Sequence, residues 1–145
     1  MRLLVQPQPF DIGAETARFA ADAAGAGAIV TFTGLVRDAG GLAAMEIEHY
    51  PGMTERSIAA MMDQAQSRWS LLSTLVIHRY GHLLPAAPIM MVATAALHRS
   101  DAFAAADFLM DYLKSRAPFW KKEIGATGEA WVAAKASDEA ALGRW

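Results

Sequence analysis

The stretch TLVIHRYGHLLPAAPIMMVATAA, residues 74–96, decides the fold. It holds two apolar runs, Thr74–Tyr80 and Ile89–Ala96, with Gly81, Pro85 and Pro88 between them. Apolar runs of this length, bounded by Gly and Pro, read as strands. The short gap favours an antiparallel hairpin, because a parallel crossover needs a longer connection. A second pair repeats the pattern. Ala28–Val36 (AIVTFTGLV) and Met45–Tyr50 flank a loop at Gly40–Gly41, and they too are expected to form a hairpin. Within the latter run Met45 and Ile47 alternate with Glu46 and Glu48, as in a strand with one wet face.

The remaining chain reads as helices and shorter strands. Leu3–Val5 is a first strand. Asp11 is expected to cap a helix to about Ala24, broken by Gly25 and Gly27. Thr54 is expected to cap a helix to about Trp69, with Ile58, Met61, Met62, Ala65 and Trp69 on one apolar stripe. Ser100 is expected to cap a third, to about Arg116, with a stripe of Phe103, Ala106, Met110 and Leu113. Pro118 disturbs the chain just beyond that helix. Glu129–Ala134 reads as a weaker strand, and helix is expected near the end. The order β-α-β-β-α-β-β-α-β, with its close strand pairs, gives the α+β class: a mixed, largely antiparallel sheet with helices packed against it. No repeat or linker divides the 145 residues, so a single domain, 1–145, is expected.

Composition narrows the chemistry. The chain is 54% hydrophobic and 19% charged, enough apolar material for a real core. It has no cysteine, which excludes disulfides, thiolate metal sites and a persulfide carried on this chain. A net charge of −2 argues against a generally basic nucleic-acid surface. No apolar run approaches the roughly 18 residues of a membrane span, and Leu3–Val5 is too short for a signal-peptide core, so the expectation is a soluble cytoplasmic protein. His78 and His82 are four apart, but Gly81 and the strand context argue against a shared helical face, and no metal site is expected. The chain has no Walker loop, G-x-G-x-x-G turn or G-x-S-x-G elbow.

Positive charge is concentrated locally. Residues 112–122, YLKSRAPFWKK, hold Lys114, Arg116, Lys121 and Lys122 and no carboxylate. His98 and Arg99 precede a helix start, where amides and the helix dipole favour anions. Arg37 ends the TFTGLVR strand that also carries Phe32. Taken singly, each has an ordinary reading: Lys114 as a solvated partner of Asp111, Arg37 as a loop ion pair with Asp38, Phe32 as core. Taken together they suggest a cationic pocket with an aromatic wall, suited to a phosphorylated ligand. The four Trp residues and high apolar content make a homo-oligomer plausible.

Several segments, in order along the chain, carry a family resemblance: VTFTGLVR (30–37), EHYPGMTE (48–55), the His78–Arg79 pair, LHRSDAF (97–103), MDYLKSRAPFWKKE (110–123) and the closing Trp131–Val132, Ser137–Asp138 and Arg144–Trp145. With these the chain resembles the catalytic (large) subunit of molybdopterin synthase. The resemblance implies a hammerhead-like α+β fold. It implies sulfur transfer onto cyclic pyranopterin monophosphate, forming the dithiolene of molybdopterin. The sulfur would come from the C-terminal thiocarboxylate of a small ubiquitin-like partner ending in Gly-Gly, in a heterotetramer with a homodimer of this chain at its centre. No cofactor is implied. Lys114 and Lys121 map to the family's catalytic lysines. Phe32, Arg37, His98, Arg99 and Lys122, with the two lysines, map to substrate binding. Two other readings share the cationic patch: a non-enzymatic pterin- or phosphate-binding scaffold, and an acylphosphatase-like phosphohydrolase.

Overall fold

The computed structural model describes residues 1–38 and 40–145. Two four-stranded sheets carry the fold. The first holds, in spatial order, β1 (Arg2–Gln6), β4 (Ser73–Arg79), β6 (Pro88–Ala96) and β2 (Ala28–Leu35). The second holds β5 (Gly81–Leu83), β3 (Leu42–His49), β7 (Phe119–Gly125) and β8 (Gly128–Trp131). The helices are α1 (Ile12–Asp22), α2 (Met53–Trp69), α3 (Arg99–Ser115) and α4 (Ala136–Ala141), the last followed by a 3₁₀ turn at Leu142–Arg144. Among the described residues only β1 and β4 pair in parallel, so the α+β, largely antiparallel class holds.

The central strands of the first sheet are apolar throughout because both faces are covered. Leu75 and Ile77 of β4, with Met91, Ala93 and Ala95 of β6, face Phe19 and Ala23 at the α1 side. The alternate residues Val76, Met90, Val92 and Ala96 join the larger core with α2, α3 and the second sheet. Each large side chain fully buried there contributes about 1.5–3 kcal/mol. The expected β4–β6 hairpin forms, with Thr74 opposite Thr94 and His78 opposite Met90.

The expected pairing of Ala28–Val36 with Met45–Tyr50 does not form. β2 pairs instead with β6, and β3 goes to the second sheet, between β5 and β7. The turn between them is organised by Asp38, whose carboxylate accepts from the amides of Gly40, Gly41 and Leu42. The register of β2 is set by close approach: a Cβ on Gly27 would lie 2.3 Å from the Leu97 carbonyl oxygen. Gly27 is thus required by a backbone contact more than by helix termination.

Helix boundaries differ from expectation in informative ways. Asp11 caps α1 as expected, accepting from the Ala14 amide at 2.7 Å. Thr54 is not a cap. Gly52 precedes α2 with φ of 80°, and Glu55 accepts from its amide at 2.6 Å. Thr54 is fully buried within the first turn. Ser100 is not a cap either: His98 occupies that position, without a side-chain bond to the helix. The buried residues of α3 are Ala102, Ala105, Ala106, Phe108, Leu109 and Leu113, which keeps Ala106 and Leu113 of the expected stripe, whereas Phe103 is 61% exposed. Small alanines let this helix approach the sheet closely, and Phe103 is displaced to the outside. β7 is an element the sequence pattern conceals, since Pro118 precedes it. The strand begins one residue past the proline, where the missing N–H no longer matters to the ladder.

Candidate active site

Strand β7 presents two lysines in opposite directions because successive strand residues alternate faces. Lys121 pairs with Ile47 and shares its core-facing side. Lys122 pairs with Glu46 on the outer side. There its Nζ lies 2.9 Å from Glu129 and 5.4 Å from the Trp131 ring centroid, and the Glu129 hydrogen bond raises its pKa. The structure therefore does not bring Lys122 to the same place as Lys121.

Lys121 enters a cleft of about 190 Å³ bounded by Leu113, Lys114, Phe119, Val132, Lys135 and Asp138, among others. The proline that separates the two lysines in sequence helps bring them together. α3 ends at Ser115, the chain turns through Pro118, and β7 returns Lys121 beside the last turn of α3. Thr54 holds this turn. Its hydroxyl accepts from the Tyr50 amide at 3.1 Å and donates to the carbonyls of Tyr50 (3.0 Å) and Pro118 (3.3 Å). Burial pushes the Lys121 pKa below the usual lysine range, and the Lys114 charge lowers it further, partly offset by Asp138. Lys114 itself is exposed at the rim.

The outer wall of the cleft is the C-terminal segment, fastened by side chains. Ser115 Oγ donates to the Asp138 carbonyl at 2.7 Å. Arg144 bridges Asp107 and Asp111, and the Trp145 indole donates to Asp111 at 2.8 Å. Trp145 also packs edge-on against Trp69 and Phe108.

Behind Phe119, which lines the cleft, lie groups that sequence reasoning missed. The His78 ring stacks on Phe119, with centroids 3.6 Å apart and 13° between planes. His49 lies beyond, 6.2 Å from Phe119 and 4.3 Å from Tyr80. Burial drives the His78 pKa down to about 3, and the Lys121 charge adds to this. The available signal was a histidine inside an apolar run with both faces covered. Its neighbour Arg79 is structural: it donates to the carbonyls of Pro7 and Pro88 and ties the N-terminal segment to β6.

The other expected residues lie elsewhere in a single copy. Arg37 leaves β2 at the same end of the sheet as His78, since Leu35 and His78 pair with the first residues of β6. It lines a separate cleft of about 310 Å³ with Gly41, Glu123, Gly125 and Gly128. Phe32 lies mid-strand in an open apolar groove with Phe103 and Met110. His98 and Arg99 are exposed at the opposite end of α3. Lys114 follows Arg99 by fifteen positions on the helix, about 22 Å along the axis. One copy therefore does not assemble a single pocket from all seven residues. His82 pairs with Glu46 at 3.3 Å on the outer side, away from buried His78. Among the described residues no group of three or more metal-binding side chains gathers, and no helix is long and apolar enough to cross a membrane.

A partly desolvated lysine beside a second cation suits proton transfer to or from an anionic substrate, here in a two-sheet α+β frame. Comparison with known proteins agrees with an enzyme of that kind. The family model described as MoaE protein matches residues 5–116. The molybdopterin synthase catalytic subunit of Cereibacter sphaeroides is 72% identical over 146 residues, covering all of both chains. That of Escherichia coli is 47% identical over 147 residues, covering 99% of this chain and 97% of its own. The structure of a molybdopterin biosynthesis MoaE protein from Burkholderia ambifaria superposes with a TM-score of 0.85 at 49% identity, covering 99% and 97% of the two chains. Molybdopterin synthase from Staphylococcus aureus gives 0.80 at 28% identity, covering 90% and 96%. The chain belongs to the MoaE family, to which the catalytic subunits of molybdopterin synthase belong.

Proposed function

We propose that this chain transfers sulfur onto cyclic pyranopterin monophosphate to form the dithiolene of molybdopterin, in molybdenum cofactor biosynthesis. The sulfur arrives as the C-terminal thiocarboxylate of a small ubiquitin-like subunit ending in Gly-Gly. The observation that carries the reading is the Lys114–Lys121 cleft, together with family membership. The absence of cysteine in the chain is consistent with a sulfur supplied by a partner.

Burial suits Lys121 to moving a proton during sulfur addition, because its free-base form is favoured more than in an ordinary lysine. Lys114, at the rim, suits holding negative charge on the thiocarboxylate or on the tetrahedral intermediate. Arg37 lines a separate cleft at the same end of the first sheet as His78, and in this reading it offers its charge to the substrate phosphate from there. His98 and Arg99 lie too far from the lysines within one copy to join them. Their place in the reading is therefore a site completed by a second copy, as in the central homodimer of a heterotetramer. The exposed apolar side chains of Phe32, Leu97 and Phe103 suit burial against that copy. The 145 residues act as one domain in this reading, supported by a core shared between both sheets, and the working location is the cytoplasm.

Reconstitution tests the proposal. Purified chain, thiocarboxylated small subunit and cyclic pyranopterin monophosphate are expected to yield the dithiolene product. The same small subunit ending in an ordinary carboxylate is expected to yield none. A chain that binds the pterin and the small subunit but forms no product would instead be a scaffold.

A further inference from the structure

The His78–Arg79 pair contains one group whose chemistry the fold leaves unspent. Each nitrogen of the Arg79 guanidinium donates to a carbonyl of Pro7 or Pro88. His78 has no solvent exposure, and its Nδ1 lies 2.9 Å from the Arg79 carbonyl oxygen. A carbonyl only accepts, so Nδ1 carries the proton and Nε2 keeps a bare lone pair. That Nε2 is buried without a partner. An unpaired buried acceptor is destabilising, and a phenylalanine would fill the same place without it.

The surroundings suggest what the lone pair is for. The imidazole lies flat on Phe119, and Lys121 comes two residues later on the same face of β7, about 7 Å along the strand. After burial itself, the Lys121 charge is the largest influence on His78. The titratable groups that share the cleft with Lys121 are Lys114 from α3 and Lys135 and Asp138 from the C-terminal segment; His78 lies behind Phe119, close enough to feel the Lys121 charge, with His49 beyond it. Asp138, on α4, is the only anion in that set. We propose that His78 is a positioning residue for Lys121: its Nδ1–H is fixed on the Arg79 carbonyl, its ring sets the Phe119 floor, and its free Nε2 supplies a neutral acceptor on the buried side of the lysine amine. A neutral acceptor orients the amine without adding a charge. This rests on Lys121 acting in the proposed reaction, and it adds a residue to that same site.

Nuclear magnetic resonance of the full-length chain tests it independently of turnover. With ¹⁵N-labelled histidine at neutral pH, His78 is expected to be protonated on Nδ1 and bare on Nε2; a proton on Nε2 overturns the proposal without need of a variant. The chain has four lysines, Lys114, Lys121, Lys122 and Lys135, so ¹³C-labelled lysine gives an assignable titration. His78→Phe keeps an aromatic ring on Phe119 and removes the acceptor. Because the lone pair favours the ammonium form, the Lys121 midpoint is expected to fall by about half a pH unit or more. Lys122, on the other face, should not move. An unchanged Lys121 midpoint in the folded variant overturns the proposal. In the reconstituted reaction the variant should lose about tenfold in kcat with little change in KM for the small subunit. A raised KM with kcat intact would also overturn it.

Discussion

His78 of the first sheet and Phe119 of the second stack face to face at 3.6 Å, joining the two sheets behind the cleft that Phe119 and Lys121 line. The stack makes acid sensitivity a property of that junction. The unfolded chain takes up a proton on His78 near pH 6.5, whereas the folded chain refuses it until about pH 3. Stability from this source is complete above pH 6.5 and falls as the pH drops towards 3. Between pH 6.5 and 4.5 the wild type is expected to lose about 2–3 kcal/mol more than His78→Phe. Urea denaturation of both proteins across that range checks it, and parallel profiles would contradict it.

Lys121 gives the opposite pH trend from an ordinary exposed lysine. Its folded pKa is lowered chiefly by burial, so at neutral pH the charged amine weakens the fold. That penalty is complete below the folded pKa. It is relieved as the pH rises from there to the ordinary value of 10.5, where the unfolded chain also sheds its proton. Lys121→Met is therefore expected to be more stable than wild type at pH 7, by about 2–4 °C in Tm. The difference should shrink as the pH approaches 10. A variant less stable than wild type at pH 7 would show that the amine is not strained by burial.

Thr54 links the start of α2 to the turn at Pro118. Thr54→Val keeps the volume and leaves the Tyr50 amide without its acceptor. A loss of about 1–3 kcal/mol is expected from denaturant unfolding. Thr54→Ser should recover most of it, since the hydroxyl is what the site uses. A loss in Thr54→Ser as large as that in Thr54→Val would show that the hydroxyl is not what the site uses.

Arg99 and Lys114 stand at opposite ends of α3. If a second copy completes the site, Arg99→Ala and Lys121→Ala are each inactive alone but complement when mixed. Random exchange makes half the dimers mixed, each with one intact site of two, so activity should return to about a quarter of wild type. No recovery after subunit exchange, verified by native mass spectrometry, would place Arg99 and Lys121 in separate roles.

The parts of the fold legible in the sequence were those fixed by local chemistry. The Asp11 cap and the β4–β6 hairpin arise from a capping carboxylate and from two apolar runs with Gly and Pro between them. Which strand takes β2 as its neighbour is not local, because pairing depends on where α3 covers the sheet. Of the expected α3 stripe Ala106 and Leu113 are buried, but Phe103 faces out and Met110 is only half-buried, although both look like core residues. The actual contact selects alanines for closeness, a choice that only the partner surface reveals. For the candidate site, the resemblance pointed to Lys114 and Lys121, and the cleft they share depends on the turn at Pro118 that hid β7. His78 was present in the quoted stretch, but a buried histidine declares itself only once both faces of its strand are known to be covered.

The central claim is that the cleft shared by Lys114 and Lys121 is the reaction centre. The direct measurement is single-turnover dithiolene formation by Lys114→Ala and Lys121→Ala, each saturated with thiocarboxylated small subunit. Losses of about a hundredfold or more are predicted for Lys121→Ala, with a substantial loss for Lys114→Ala and both proteins folded. Near-normal product formation by both variants would contradict the account and move the chemistry out of this cleft.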